Sequence, residues 1–189
     1  MDKQAQAGLV DFEQAVVIAP GYYEAYFEIA MANVMLGKKE EAKGNFRKSI
    51  EVSHDTYGDA EIGWGTLLLE NGDAAGGEKA IRRGVELNPN SWLGFYELGK
   101  LELNRGQLDK ALNSADRAKA LSPSTPIVYR LLSNIHIQQK NYNALLGDLD
   151  AYIRLDPDSA AGARAAQLRE QVVQEVAKKN QATAGSKPQ

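Results

Sequence analysis

Residues 92–125 read WLGFYELGKLELNRGQLDKALNSADRAKALSPST, and this stretch is the unit that the rest of the chain repeats. Phe95, Leu98 and Gly99 recur at helical spacing, Gly106 interrupts, and Leu108, Ala111, Leu112, Ala115 and Ala118 resume the spacing until Pro123 stops it. The pattern predicts a helix, a tight turn and a second helix. Pro89, Pro123 and Pro157 stand 34 residues apart, and each follows a leucine (Leu87, Leu121, Leu155) and one polar residue. A fixed period of this length marks an array of helical hairpins, each burying its apolar face only against its neighbours.

Composition narrows the function classes. Hydrophobic residues make up 43% and charged residues 25% of the 189, which is the balance of a folded, soluble chain rather than a disordered one. The formal charge of -3 speaks against a nucleic-acid partner, and the Lys38-Lys39 and Arg82-Arg83 pairs are interleaved with acids rather than gathered into a basic face. No apolar run approaches the roughly 18 to 20 residues that span a bilayer, so no membrane partner is expected. The start, MDKQAQAGLVDFEQ, shows no secretory signal. With no cysteine there is no disulfide framework, thiolate zinc site or thiol nucleophile. The compartment stays open, with the cytoplasm slightly favoured.

Outward from the quoted unit, the frame divides the chain. Residues 1–22 carry the pattern of a second helix alone, with Gly8, Phe12, Ala15, Ile18 and Pro20 in place of Ala111, Ala115, Ala118, Leu121 and Pro123. Residues 23–57 form a full unit with Gly37 in its turn, His54 in place of the closing proline, and one extra residue near Tyr57 that predicts a looser joint to the next unit. Residues 58–91 follow, rich in glycine. Gly63, Gly65, Gly76, Gly77 and Gly84 fall in or at helices, where each costs about 1 kcal/mol relative to Ala. Close helix packing accounts for Gly65, while Gly63 and Gly76 have no visible reason, so this unit reads as the softest. Units 92–125 and 126–159 come next, then a capping helix over 160–178 that would lay Ala163, Ala166, Leu168 and Val172 on the last unit. The tail, 179–189, reads as disordered.

These units resemble tetratricopeptide repeats, whose 34-residue period carries a Leu-Gly pair, small residues around an aromatic and a closing proline. The matching residues are Trp64-Gly65, Leu98-Gly99, Ala42-Phe46, Ala111-Ala115-Ala118 and the prolines already named. The sequence departs from the family where an early Trp is replaced by Tyr26, Glu61, Phe95 and Tyr129, and where a later aromatic is replaced by Asn33, Leu68, Glu102 and His136. The resemblance implies an all-α fold, an α-solenoid in which antiparallel helix pairs wind into a right-handed superhelix. It also implies a non-catalytic protein–protein interaction module whose first helices line a concave groove for a peptide or helix of a partner.

By that resemblance the groove presents Phe27, Met31 and Met35, then Ile62, Thr66 and Glu70, then Tyr96, Lys100 and Asn104, and finally Arg130, Asn134 and Gln138. Its first half is apolar and methionine-rich and its second half polar with two cations. A protein or peptide partner with an apolar end and an acidic end would complement it. One subclass of the family grips a terminal carboxylate with Lys, Asn and Arg from successive first helices. Arg130 and Asn134 have the spacing of one such pair, but the Asn expected on the following helix falls at Ala165, so an ordinary polar groove wall is the favoured reading.

Other chemistry finds little support. His54 and His136 lie on different units with no carboxylate cluster at ligand spacing, so no metal and no other cofactor is expected. Asp148 and Asp150 are two apart, do not face each other on a helix, and read as a solvated face. Tyr142 and Tyr152 read as packing under the cap helix. GDAAGGEKA lacks the frame of a phosphate-binding loop, and no catalytic residues are assigned. Two alternatives to a groove receptor stay open: self-association through residues 1–20, and a regulatory domain of a larger protein.

Overall fold

The computed structural model describes the backbone of residues 3–184 and the side chains of residue 6 and residues 8–178. Among the described residues there are ten helices and no strand: α1 (Lys3–Ile18), α2 (Tyr23–Met35), α3 (Lys39–Val52), α4 (Gly58–Glu70), α5 (Ala74–Leu87), α6 (Trp92–Asn104), α7 (Leu108–Leu121), α8 (Pro126–Gln138), α9 (Tyr142–Leu155) and α10 (Ala160–Ala184). α10 runs past the expected end at 178, so residues 179–184, read from the sequence as disordered, are helical; residues 185–189 lie outside the described residues. The chain forms two compact units, Met1–Leu98 and Gly99–Gln189, with the division inside α6.

In the first unit each helix packs on the next in sequence, from α1 on α2 to α4 on α5. The turns follow from glycine. Gly37 and Gly72 have φ of 72° and 87°, the left-handed conformation that closes a helix C-terminus. After Gly37, the Lys38 amide donates to the Asn33 carbonyl at 2.8 Å and so satisfies one of the last carbonyls of α2. The end of α3 is different, because His54 and Asp55 both take positive φ, 53° and 59°, and this double left-handed step absorbs the extra residue of the frame. The joint that follows is filled rather than loose. The Tyr57 ring lies 5.0 Å from Tyr23 and 5.5 Å, edge to face, from Phe27, while Ser49 Oγ donates to the Tyr23 carbonyl at 2.8 Å.

The core here is built around Phe46, 1% exposed, with Ala30, Ala42 and Leu67. It gives Gly63 the reason that sequence could not: a Cβ there would run into the Phe46 ring. Gly76 sits at the start of α5, where its amide donates to the Asp73 cap and a Cβ would meet that carboxylate. Gly58 and Gly84 face each other across α4 and α5, as do Gly65 and Gly77, with backbone oxygens 2.6–2.8 Å from where a Cβ would stand. Of the glycines that suggested softness, Gly65, Gly77 and Gly84 are places where two helices touch backbone to backbone.

In the second unit the small residues Ala111, Ala115 and Ala118 of α7 are fully buried, and Gly99 of α6 lies over the Ala111 carbonyl and Ala115 amide. Val128, Leu132 and Ile135 form the buried face of α8. α10 packs on α9 through Val172, Leu168, Ala165 and Val176 against Leu145, Leu149 and Tyr142. Leu168 and Val172 therefore cap as the sequence predicts, whereas Ala163 and Ala166 are exposed and Ala165 takes their place. Asp148 is a second correction: it is 8% exposed and bonds to His136, while Asp150 alone faces outward, paired with Arg169 of α10.

Candidate partner-binding clefts

The expected groove residues do not all reach the surface. Ile62 is 1% exposed and Tyr96 7%, so neither offers a partner much area, and both are corrected from surface to core. Ile62 is covered because its side chain fills the space that Gly84 of α5 and Gly94 of α6 leave open. Phe27 is half-buried, with its ring 6.1 Å from Phe46 as well as against Tyr57. Lys100 is half-buried, and Met35, Glu70, Asn104, Arg130, Asn134 and Gln138 are exposed. Met35, at 63%, is among the most exposed large apolar side chains described.

In the first unit, Met31 of α2 and Thr66 and Glu70 of α4 line one narrow apolar cleft, together with Val34 and Leu93, over a floor of Phe46 and Leu67. Thr66 and Glu70 share it because residues four apart lie on one face of a helix. The Thr66 hydroxyl donates back to the Ile62 carbonyl at 2.9 Å. Glu70 stands 4.0 Å from Lys39, both of them half exposed, a pair that contributes little to stability. A second, polar surface of this unit, between α3 and α4, went unnoticed in the sequence. There the Arg47 guanidinium lies 5.7 Å over the Trp64 ring, beside Glu61, whose carboxyl is pushed up by burial and then by Asp55.

In the second unit a cavity of about 200 Å³ opens between α8, α9 and α10. Arg130, Ser133 and Asn134 enter it from α8 at helical spacing, Leu149 and Tyr152 from α9, and Ala161, Arg164, Ala165 and Leu168 from α10. The start of α10 is held by Ser159, whose Oγ accepts from the Gly162 amide at 2.9 Å and donates to Asp156 at 2.6 Å. Tyr152 donates to the same carboxylate at 3.2 Å. Burial and Asp156 push the Tyr152 phenol up, and both Arg130 and Arg164 oppose that shift. Ser133 Oγ is buried and has no hydrogen-bond partner.

Sequence reasoning brought Arg130 and Asn134 to this place and missed Ser133 and Arg164. The signal for Ser133 was in the frame, since it falls 34 residues after Gly99 and 68 after Gly65 and puts a hydroxyl where the earlier units have none. Ala165, where the carboxylate-gripping pattern would need Asn, does line the same cavity as Arg130 and Asn134. Among the described residues no three His, Cys, Asp or Glu side chains gather as metal ligands, and no helix is long and apolar enough to cross a membrane.

Comparison with known proteins agrees with this architecture. Two tetratricopeptide repeat models match, one over residues 62–126 and again over 96–160, the other over residues 23–55. No curated protein matches the chain. Among solved structures, YrrB, described as a TPR protein with an unusual peptide-binding site, is 22% identical with a TM-score of 0.60, over 87% of this chain and 84% of that one. A thermophilic TPR protein from Thermus thermophilus is 19% identical with a TM-score of 0.70, over 86% and 89%. MamA is 14% identical with a TM-score of 0.62, over 81% and 89%. At these identities the likeness is one of fold.

Proposed function

This chain belongs to the tetratricopeptide repeat family, a family of protein–protein interaction modules, and on that premise we propose that it is a non-catalytic module whose first helices hold a segment of a partner protein. The observation that supports this reading is where the clefts lie. Met31, Thr66 and Glu70 meet in one and Arg130 and Asn134 in another, all of them on the first helices of their hairpins. The first cleft suits apolar side chains, because thioether and aliphatic groups adapt to whatever packs on them. The second suits an acid, because guanidinium groups bind carboxylates through two parallel hydrogen bonds. The partner accordingly carries both kinds of residue.

The test is capture from a lysate with the wild-type chain beside a variant carrying Met35→Asp, Arg130→Glu and Asn134→Ala. All three positions are exposed, so circular dichroism should show equal helicity. A partner retained by the wild type and lost by the variant is the expected result. Identical captures by the two proteins would defeat the reading.

One observation favours self-association as a second reading. On α1, Val10, Val17 and Ile18 are 51%, 79% and 85% exposed, an apolar surface suited to another helix. Sedimentation equilibrium would show a mass that rises with concentration and returns to the monomer in Val17→Asp. A constant monomer mass in the wild type would remove this reading.

A further inference from the structure

We propose that the outer face of α1 is a docking site for a basic amphipathic helix of a partner protein. The proposal goes beyond the cleft reading, because the clefts lie on first helices and this face belongs to a second helix. The repeat frame carries it, since it gives each residue of α1 a counterpart in α3, α5, α7 and α9.

Val10 stands where the other second helices have Gly44, Lys79, Asn113 and Gly147, all of them exposed. Val17 stands where they have Glu51, Glu86, Ala120 and Arg154, again all exposed. Both positions face water in every hairpin, so the exposure of Val10 and Val17, 51% and 79%, follows from their place on the hairpin and not from what lies beside α1. What α1 changes is the chemistry. Gln14 lies between the valines, and the counterparts of Gln14 and Val17 form ion pairs in α3 and α5, Lys48 with Glu51 at 3.2 Å and Arg83 with Glu86 at 3.5 Å. A charged pair on a wet face has become an amide and an isopropyl group. Ile18 is outside this stripe, as its counterparts Val52, Leu87, Leu121 and Leu155 are half-buried.

Spacing and charge select the occupant. Val10 and Val17 are seven residues apart, the interval at which a neighbouring helix sets successive apolar residues against them. From Gly8 to Ile18 the helix has two acids, Asp11 and Glu13, and no Lys or Arg; both acids are exposed and flank the valines. On the α1 of a second copy laid antiparallel, Asp11 would face Asp11 and Glu13 would face Glu13; laid parallel, neither would meet a cation. A helix with Leu or Ile on its contact face and Lys or Arg on either side of it complements the valines and the acids together.

The test is a titration of the full, 15N-labelled chain with acetyl-(Lys-Ile-Ala-Ala-Leu-Lys-Glu)3-amide, a helix former with Ile and Leu on one face and Lys on both flanks, followed by amide chemical shifts. Shifts should centre on Val10, Gln14 and Val17. The charge-reversed peptide acetyl-(Glu-Ile-Ala-Ala-Leu-Glu-Lys)3-amide keeps the apolar face and should bind about tenfold more weakly. The double variant Val10→Ser, Val17→Ser should also lose about tenfold, whereas Val10→Leu, Val17→Leu should bind as well or more tightly. Both pairs sit at exposed positions, so circular dichroism should show unchanged helicity. Asp11→Asn, Glu13→Gln should bind about threefold more weakly and lose most of the salt dependence.

Equal affinity for the two peptides would overturn the proposal, as would unchanged affinity in Val10→Ser, Val17→Ser. Shifts confined to α2 and α4 around Met31 and Thr66 would also overturn it, by seating the peptide in the apolar cleft. If the Val10 and Val17 amides shift when the chain alone is concentrated, and sedimentation equilibrium shows the mass rising with them, the face belongs to a second copy and the proposal falls. No shift on α1 up to about 1 mM peptide would overturn it as well and leave the cleft reading untouched.

Discussion

His136 Nδ1 and Asp148 Oδ2 share a hydrogen bond of 2.6 Å in the interior of the last hairpin, and both residues are about nine-tenths buried. The bond has a counterpart one period earlier. Ser114 Oγ donates to Glu102 Oε2 at 2.7 Å, and the pairs 102/114 and 136/148 are related by the 34-residue frame. Where the family resemblance led us to expect an aromatic on the first helix, these two units have a polar residue and hold it with another from the second helix. Each polar group is thereby satisfied, which is the condition for burying it.

Removing one member should strand the other. Asp148→Ala is expected to lower the stability of the chain by about 2–3 kcal/mol, since it leaves the imidazole without a partner. In a double-mutant cycle with His136→Ala the two losses should fall well short of adding. Chemical denaturation of the four proteins gives the answer, and strict additivity would mean that the bond contributes nothing.

The same pair has a pH signature. Burial pushes the Asp148 carboxyl above its ordinary value of 3.8, and the bond to His136 only partly opposes that rise. A carboxyl whose folded pKa is raised binds more protons folded than unfolded between the two values. Its contribution to stability is therefore greatest below 3.8 and falls as pH rises through the folded pKa. Asp148→Asn should remove this negative slope from the curve of stability against pH in the weakly acidic range. An identical curve in the variant would show that Asp148 titrates normally.

Gly84→Ala should be among the most damaging small changes in the chain. The added methyl would stand 2.6 Å from the Gly58 carbonyl and 2.9 Å from the Ile62 amide, neither of which can turn aside as a flexible side chain can. Overpacking of this kind costs about 1–3 kcal/mol, against the modest gain that Ala brings to an exposed helix. Gly44→Ala, where nothing lies within 4 Å, is the control and should be neutral or stabilising. Thermal melts of the two variants would separate them.

Lys140→Gly should stabilise. Gly37, Gly72 and Gly106 close their helices with positive φ, and at the equivalent place in the last hairpin Lys140 does so with φ of 57°. A side chain in that conformation costs about 1–2 kcal/mol, part of which glycine returns through its greater freedom in the unfolded chain. The expected net gain is a fraction of that, up to about 1 kcal/mol, read from the denaturation midpoint.

The fold was legible because its punctuation is local. Prolines one period apart and the glycines of the turns mark helix ends by backbone conformation alone, with no need of tertiary context. The candidate site was less legible, because periodicity tells which way a residue points but not how wide a sector the neighbouring helices cover. Ile62 and Tyr96 point along with Thr66 and Lys100, yet they fall inside the covered sector. Asp148 and Asp150 show the same limit from the other side. Their spacing correctly separates them, but only the packing of α8 and α10 decides that one is buried against His136 and the other reaches Arg169. Ser133 could be placed in the frame, though its lack of a partner is a property of three helices together.

The Phe46 ring that fills the space above Gly63 bears on how such a chain can change over generations. Aligned by the frame, the same two places hold Ile81 with Glu97, and Ala115 with Leu131. A bulky residue faces none in the first case, and the sizes are reversed in the last. The hairpins share a period but are not interchangeable beads. A duplication that set the 23–57 hairpin directly before 92–125 would thrust an aromatic ring at Glu97, so gene rearrangements that keep each hairpin whole could still fail at the seam. Order along this chain is thus inherited as complementary volumes, one joint at a time.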